Sequence, residues 1–339
     1  MKLTISDIAR KAGVSKTTVS RVLNHRPDVD EETRKKILKI IEEFNYSPSY
    51  TAKSLSTGKR NLIGLIVPSL SSFFSLEIIR GVAEGISDTQ YELVLYTTGL
   101  SKYNEQIYSR AIRNDLVDGI IVVLPRDPKE SYLRSIHEIP IIAVDYSGID
   151  IQYPRITATN AFGAYEGTKY LINLGHKRIG FITGLMDLGC SQDRLQGFID
   201  AMDEADFVID KSLIGSGSFT RASGELLAKE WLSQKEKPTA IFASNDEMAL
   251  GVMDVAESLG IAIPSELSVL GFDDINEARM RRPALTTIKQ PLFEMGNQAA
   301  NGIVSLLDGH TIQSQVLETQ LVIRESCAPP NFLPNYTLR

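Results

Sequence analysis

The chain has 339 residues, 43% hydrophobic and 7% aromatic, with 42 acidic against 36 basic side chains and a net charge of −6. Such a length and composition suit two or three folded cores and exclude a disordered tail. The two cysteines, Cys190 and Cys327, stand far apart without a CxxC or Cys/His cluster, which excludes a disulfide scaffold or structural zinc site and points to a reducing compartment.

The opening MKLTISDIARKAG is polar where an export signal needs an apolar core, and no later apolar run reaches membrane-spanning length. A cytoplasmic protein with no membrane partner is expected. The overall charge hides an asymmetry. Residues 1–60 carry 13 Lys/Arg and 7 Asp/Glu, net +6, leaving 23 basic and 35 acidic residues in the remainder, net −12. A small cationic module therefore precedes a large anionic body.

The spacing predicts a first helix from Thr4, with Thr4 as cap, Asp7 reaching back to it, and Ile5, Ile8, Ala9 and Ala12 on one face. Gly13 ends that helix, Val14 plugs the corner, and Ser15 caps a second helix that turns Val19, Val22 and Leu23 inward. A third is expected from about Glu31 to Phe44, capped by Asp30, with a stripe of Ile37, Ile40, Ile41 and Phe44. Three short helices joined this way make a helix-turn-helix unit. If Val19, Val22 and Leu23 face inward, Lys16, Thr17, Ser20 and Arg21 face outward. An outward Arg can hold guanine O6 and N7 with two parallel bonds, so Arg21, Lys16 and Thr17 are the candidate base readers. The competing reading is a solvated helix face, and the joined turn, caps and charge excess weigh against it.

In SYTAKSLSTGKR, Tyr50, Ala52 and Leu55 keep helical spacing over a stretch too short to fold alone. It is expected to order with a partner, Leu55 acting as a wedge in a minor groove and Lys53, Lys59 and Arg60 lying near phosphates. A flexible tether with an incidental leucine is the alternative.

From Leu62 onward, apolar runs alternate with amphipathic stretches. LIGLIV, YELVLYTT, DGIIVVL and PIIAVD read as buried parallel strands of one doubly wound lobe, with a helix over Phe74 to Asp88. RIGFITG, TAIFASN and LSVLGFDD read as a second lobe, with helices near Ala161 to Leu174, Gln192 to Ala205 and Asp246 to Leu259. Ligands of open parallel sheets lie beyond the carboxyl ends of the strands. The polar residues found there are Asp145, Asn245, Asp246, Asp273 and Asp274, with Arg194 in a following loop. Carboxylates, an amide and a guanidinium suit vicinal hydroxyls, and Phe73, Phe74 or Phe219 can cover the apolar face of a sugar ring. Each carboxylate has a structural competitor, since Asp246 and Asp274 are placed to cap the next helices. Phe73 and Phe74 could instead belong to the core, although adjacent residues cannot share one helix face. Met248 and Met253 read as packing.

No catalytic motif holds up. GxxxxGK(S/T) and GxSxG are absent, GSGSFT lacks the rest of a dinucleotide fingerprint, and His25, His137, His176 and His310 show no metal spacing. No catalytic residue, cofactor or metal is expected. The end, ESCAPPNFLPNYTLR, has three prolines and no leucine heptad, so a coiled-coil tail is excluded and dimers, not tetramers, are expected.

The run TISDIARKAGVSKTTVSRVLN, followed by VDEETRKKILKIIEEFNYSPSYTAKSL, closely resembles the N-terminal module of the lactose and galactose repressor family of bacterial regulators. In the body, LGHKRIGFITG, DRLQGF, SNDEMALGVM, LSVLGFDD and PALTTIKQP continue the resemblance, and the body is similar to the two-lobed sugar-binding proteins of the periplasm. This implies an all-α helix-turn-helix head, residues 1–47, and a hinge segment, 48–60. It further implies an α/β effector body, 61–329, with doubly wound parallel sheets, and a tail, 330–339. The lobes would comprise about 61–159 with 289–319, and about 160–288 with 320–329, the chain crossing between them near 160, 288 and 320. By the same resemblance Lys16, Thr17 and Arg21 occupy base-reading positions, Leu55 the minor-groove wedge, and Thr4, Thr33 and Tyr46 phosphate contacts. Arg194, Asn245, Asp273, Asp145, Phe219, Phe73 and Phe74 become effector contacts. Many members have Asn-Pro where this chain has Ser71 and Ser72, which leaves the local contacts open. The implied function is a homodimeric repressor on a pseudo-palindromic operator in double-stranded DNA, released by a small sugar. The alternatives are a regulator tightened by a purine, a phosphorylated metabolite or a partner protein, and, in another class, a sugar-binding protein with no DNA role.

Overall fold

The computed structural model describes residues 4–23, 26–44, 46, 60–98, 116–125, 139–147 and 153–330. They fall into two compact units that divide between Asn61 and Leu62.

The first unit contains α1 (Ile5–Ala12), α2 (Lys16–Leu23) and α3 (Glu31–Glu43). Asp7 closes the start of α1, its Oδ2 accepting from the amide (3.0 Å) and hydroxyl (2.6 Å) of Thr4. Gly13, at φ +70°, turns the chain in the left-handed region, where its missing Cβ removes the usual clash. Ser15 Oγ then accepts from the Thr18 amide at 3.0 Å to start α2, and Asp30 Oδ1 accepts from the Thr33 amide at 2.9 Å to start α3. Ile8, Val19, Val22 and Ile37 form the buried centre, with Ile5, Val14, Leu23, Ile40 and Ile41 packed around it. The expected stripe of α3 is one residue too long: Phe44 lies past the helix end and is exposed, with Lys11 Nζ 4.1 Å from its ring centroid.

The second unit holds two six-stranded sheets. The first is entirely parallel and contains β1 (Leu62–Val67), β2 (Glu92–Thr97), β3 (Gly119–Val123), β4 (Ile141–Val144), β5 (Arg155–Ala158) and β11 (Gln315–Leu317), in the order β11-β5-β4-β3-β1-β2. The second contains β6 (Ile179–Thr183), β7 (Ile214–Ser216), β8 (Ala240–Ala243), β9 (Ser268–Asp273), β10 (Thr286–Lys289) and β12 (Gln320–Val322), in the order β12-β10-β9-β8-β6-β7. Only its edge strand β12 runs antiparallel, against β10. Helices α4 (Phe73–Ile86) and α10 (Leu292–Leu307) cover the first sheet, with Ile78, Val82, Met295, Ala299 and Ile303 in its core. Helices α5 (Asn160–Asn173), α6 (Gly189–Glu204), α7 (Arg221–Leu232) and α8 (Asp246–Ser258) cover the second, and the short α9 (Asn276–Met280) follows β9. Under α5 and α6, Phe181 stacks on Phe198 at 4.7 Å and meets Phe242 edge-on at 5.3 Å.

The chain passes between lobes three times: from β5 to α5, from β10 to α10, and from β11 to β12. Two passages are joined: the hydroxyls of Thr159 and Thr319 lie 2.9 Å apart, and the Thr319 amide donates to Thr159 Oγ1 at 2.9 Å.

Candidate functional site

On the head, Lys16, Thr17 and Arg21 are exposed on α2, while Ser20 is half-buried and engaged within the unit. Arg21 Nη1 stands 3.3 Å from Asp28 Oδ2. Thr4 is exposed at the start of α1, Thr33 is half-buried in the first turn of α3, and Tyr46 packs against the head core, where burial raises its phenol. Leu55 lies outside the described residues, as does most of the 48–60 segment.

In the body, a cavity of about 260 Å³ opens between the lobes beyond the carboxyl ends of both sheets. Phe74, Asp145, Arg194, Phe219, Asn245 and Asp273 all line it. Phe73 does not: as the first residue of α4 it is exposed, whereas Phe74 is the one turned toward the first core.

Arg194, expected in a loop, lies within α6, is 2% exposed and sits at the centre. Its Nε donates to Asn160 Oδ1 at 2.8 Å, its Nη1 donates to the Ser244 carbonyl at 2.5 Å, and its guanidinium carbon lies 3.9 Å from the Phe272 ring centroid. Asp145 Oδ2 and Asp273 Oδ1 each approach it at 3.7 Å. Asp145 also accepts from Asn160 Nδ2 at 2.9 Å through Oδ1, but its buried Oδ2 has no hydrogen-bond partner. Asp273 accepts from Gln290 Nε2 at 2.7 Å, and Gln290 Oε1 is likewise buried without a partner. Burial raises both carboxyls against the lowering pull of Arg194, and Asp273 is pushed up to about 7. Burial also holds the Cys190 thiol protonated, with Asp145 adding to the effect.

Three neighbouring polar residues have structural jobs. Asn245, not Asp246, caps α8: its Oδ1 accepts from the Met248 amide at 3.0 Å and its Nδ2 donates to the Phe219 carbonyl at 3.1 Å. Asp246 is buried one residue inside the helix, accepting from Thr287 Oγ1 at 2.5 Å and the Ile275 amide at 2.9 Å. Asp274 caps nothing; it pairs with Arg279 at 2.7 Å and with Arg324.

Backbone conformation marks the same place. Leu124 (φ 49°), Asp145 (54°), Phe219 (61°) and Asp273 (115°) all line the cavity in the left-handed region. A non-glycine residue there costs on the order of 1–3 kcal/mol, so four at one cavity show that side-chain placement has been kept over backbone ease. Gly184 adds a close approach, since a Cβ on it would run into the Phe219 ring. Sequence reasoning missed Pro68, Ser69, Leu124, Cys190, Thr220, Arg221 and Glu247 on the wall, and Asn160 and Gln290 behind it, and it singled out Ser71 and Ser72 only as a departure from the family pattern. The carboxyl-end rule, applied to β1 and β3, finds the serines and Leu124.

Residues 4–49 match the profile of bacterial regulatory proteins of the lacI family, and residues 168–327 that of a periplasmic binding protein-like domain. A ribose operon repressor of Haemophilus influenzae is 34% identical over 95% of this chain and 98% of its own length. An HTH-type transcriptional repressor, PurR, of Vibrio vulnificus is 36% identical over the same shares. Among solved structures, the lac repressor dimer bound to operator and the anti-inducer ONPF superposes with a TM-score of 0.86 at 27% identity, covering 97% of this chain and 100% of that one. A transcriptional regulator CelR–cellobiose complex gives 0.73 at 29%, covering 96% and 99%. The chain therefore belongs to the lacI family of bacterial regulatory proteins. It is a DNA-binding transcriptional repressor with a small-molecule site in a periplasmic-binding-protein-like body, and not an enzyme. Among the described residues no cluster of His, Cys, Asp or Glu could hold a metal, and no helix is long and apolar enough to cross a membrane.

Proposed function

We propose that the chain is a cytoplasmic repressor that binds a pseudo-palindromic operator as a homodimer and is released by a small uncharged sugar held between its lobes. The observation that carries the sugar reading is the polar inventory of the cleft. Among the described residues, Arg194 is flanked by Asp145 and Asp273, and the other lining cation, Arg221, is held by Asp254 at 2.6 Å and Glu277 at 2.7 Å. On the wall, Asp145 Oδ2 is buried without a hydrogen-bond partner and the Asp273 carboxylate is a second acceptor. A ligand that brings several hydroxyl donors and no negative charge answers that demand. Phe74 and Phe219 supply apolar cover. The names of the ribose operon repressor and of the CelR–cellobiose complex agree with this class.

Arg194, Asp145 and Asp273 are assigned to ligand hydroxyls, with Asn245 as a wall group whose amide is already committed to Phe219. On DNA, Lys16, Thr17, Ser20 and Arg21 read bases, Thr4, Thr33 and Tyr46 hold phosphates, and Leu55 wedges the minor groove, where a flexible pyrimidine–purine step unstacks most cheaply. Phosphate contacts make affinity salt-dependent, and base contacts make it selective. A sugar that prefers one lobe arrangement by roughly 2–3 kcal/mol changes operator affinity about 30- to 150-fold, the 48–60 segment carrying the change. A second reading, in which the ligand tightens the grip as in purine-responsive members of the family, draws on relatives such as the repressor named PurR.

The test is a thermal-shift screen of the whole chain against monosaccharides, disaccharides, sugar phosphates and purines, followed by operator binding with each hit. An uncharged sugar should raise the melting temperature, since a ligand at 100 times its Kd stabilises by about 2.7 kcal/mol, and should weaken operator binding. Stabilisation by sugar phosphates or purines alone would overturn the proposal.

A further inference from the structure

We infer that Asp28 is a specificity-determining residue of the head: it holds Arg21 in the orientation from which the guanidinium reads a guanine edge, and its charge weakens binding to duplexes that offer no such guanine. This rests on the assignment of Arg21 to base reading.

The pair is placed by a built loop. Between α2 and α3, the Arg26 amide donates to the Arg21 carbonyl at 2.9 Å, and the Arg34 guanidinium donates to the Arg26 carbonyl. Pro27 follows with its φ fixed by the ring. Val29 is buried in the head core, and Asp30 is engaged as the cap of α3. Asp28 is thus the one acidic side chain of this loop left for α2, and its Oδ2 stands 3.3 Å from Arg21 Nη1. Both side chains are 53% exposed, and Arg21 follows Thr17 by four residues on α2, one helical turn along the same face.

An ion pair so exposed does little for folding. Its effect lies in what it does to Arg21. A long arginine side chain has many rotamers, and those that point a base-reading guanidinium outward must be selected from them. Holding one end through Nη1 makes that selection before DNA arrives and leaves Nε and Nη2, a second parallel pair of donors, for guanine O6 and N7. A carboxylate beside a polyanion is also unfavourable wherever no base contact compensates for it. Asp28 therefore lowers affinity for duplex in general while sharpening the choice at one base pair.

The experiment uses the full chain and a duplex enriched by wild-type protein from a random pool. The affinity of wild type, Asp28→Asn, Asp28→Ala, Arg21→Ala and Arg21→Ala/Asp28→Asn is measured on that duplex and on its single base-pair variants at one salt concentration. The base pair read by Arg21 is the one at which Arg21→Ala loses discrimination. Both Asp28 variants are expected to lose at least about threefold in discrimination at that base pair and to bind unselected duplex more tightly. In the Arg21→Ala background, Asp28→Asn should change discrimination nowhere. A smaller loss, unselected binding that is no tighter, or an effect that persists without Arg21 overturns the inference while leaving Arg21 a base reader. If Arg21→Ala discriminates like wild type at every position, the base-reading assignment itself fails and the inference falls with it.

Discussion

Lys16, Thr17 and Arg21 stand exposed on an eight-residue helix, while Arg194 in the body is 2% exposed, with carboxylates on two sides. The head offers charge to a partner that arrives with its own. The cleft has already neutralised its charge and offers geometry instead. A cation in water gains by releasing counterions from DNA; a cation in the interior must be paired to be tolerated at all, so its value lies in the donors and acceptors it fixes. The two surfaces should therefore fail in different ways when altered.

The largest effect is expected from Arg194→Ala. It leaves Asp145 and Asp273 buried without their shared cation, and breaking a buried pair from one side costs about 3–5 kcal/mol. Calorimetry of the full chain should show the body melting at a markedly lower temperature and no further shift with sugar. A body that melts like wild type would remove the central role given to this guanidinium.

Next in size is a pH effect confined to the cleft. Asp273 titrates near 7 in the folded chain against an ordinary value of 3.8. The folded body binds that proton more tightly than the unfolded chain, so this group's contribution favours folding at low pH and is lost as pH rises from about 4 to 7. A sugar hydroxyl that donates to the carboxylate needs it ionised. Sugar affinity measured by calorimetric titration should thus rise about tenfold between pH 6 and 8, and Asp273→Asn should flatten the profile. An affinity that falls over that range would mean that Asp273 meets the ligand as a neutral acid.

The smallest effect belongs to the head. Asp30→Ala removes the cap of α3 and should cost about 1 kcal/mol, read as a lower unfolding midpoint of the helical signal with sugar affinity unchanged. A loss of sugar binding in this variant would break the separation drawn between the two regions.

The same contrast governs what could be read from sequence. In the head, burial follows the helical period, so the Thr4, Ser15 and Asp30 helix starts, the Gly13 turn and the outward Lys16, Thr17 and Arg21 of α2 were legible, whereas Ser20, read as outward, is half-buried. Phe44 misled because an aromatic at the right spacing past the helix end looks like one inside it. In the body, long apolar strands identified β1, β3, β4, β6, β8 and β9, and the polar residues read after them, with Phe74 and Phe219, supplied six of the fifteen described residues that line the cavity. The strands β5 and β10, with sequences RITA and TTIK, are short and partly polar, so Asn160 and Gln290, which follow them and steer Arg194 and Asp273, went unseen. Asp246 and Asn245 exchanged roles because either residue type can cap a helix and only the fold shows which side chain reaches the Met248 amide. The positive φ of Leu124, Asp145, Phe219 and Asp273 leaves no sequence trace, since none of them is the glycine that such a backbone usually selects.

The clasp between Thr159 and Thr319 has a mechanical result. It makes two adjoining passages behave as one strap, so that with the separate passage between Lys289 and Leu292 the lobes are fastened at two places. Two fastenings define an axle. Replacing both threonines with valine cuts the strap and is expected to free the halves for movements other than rotation about that axle.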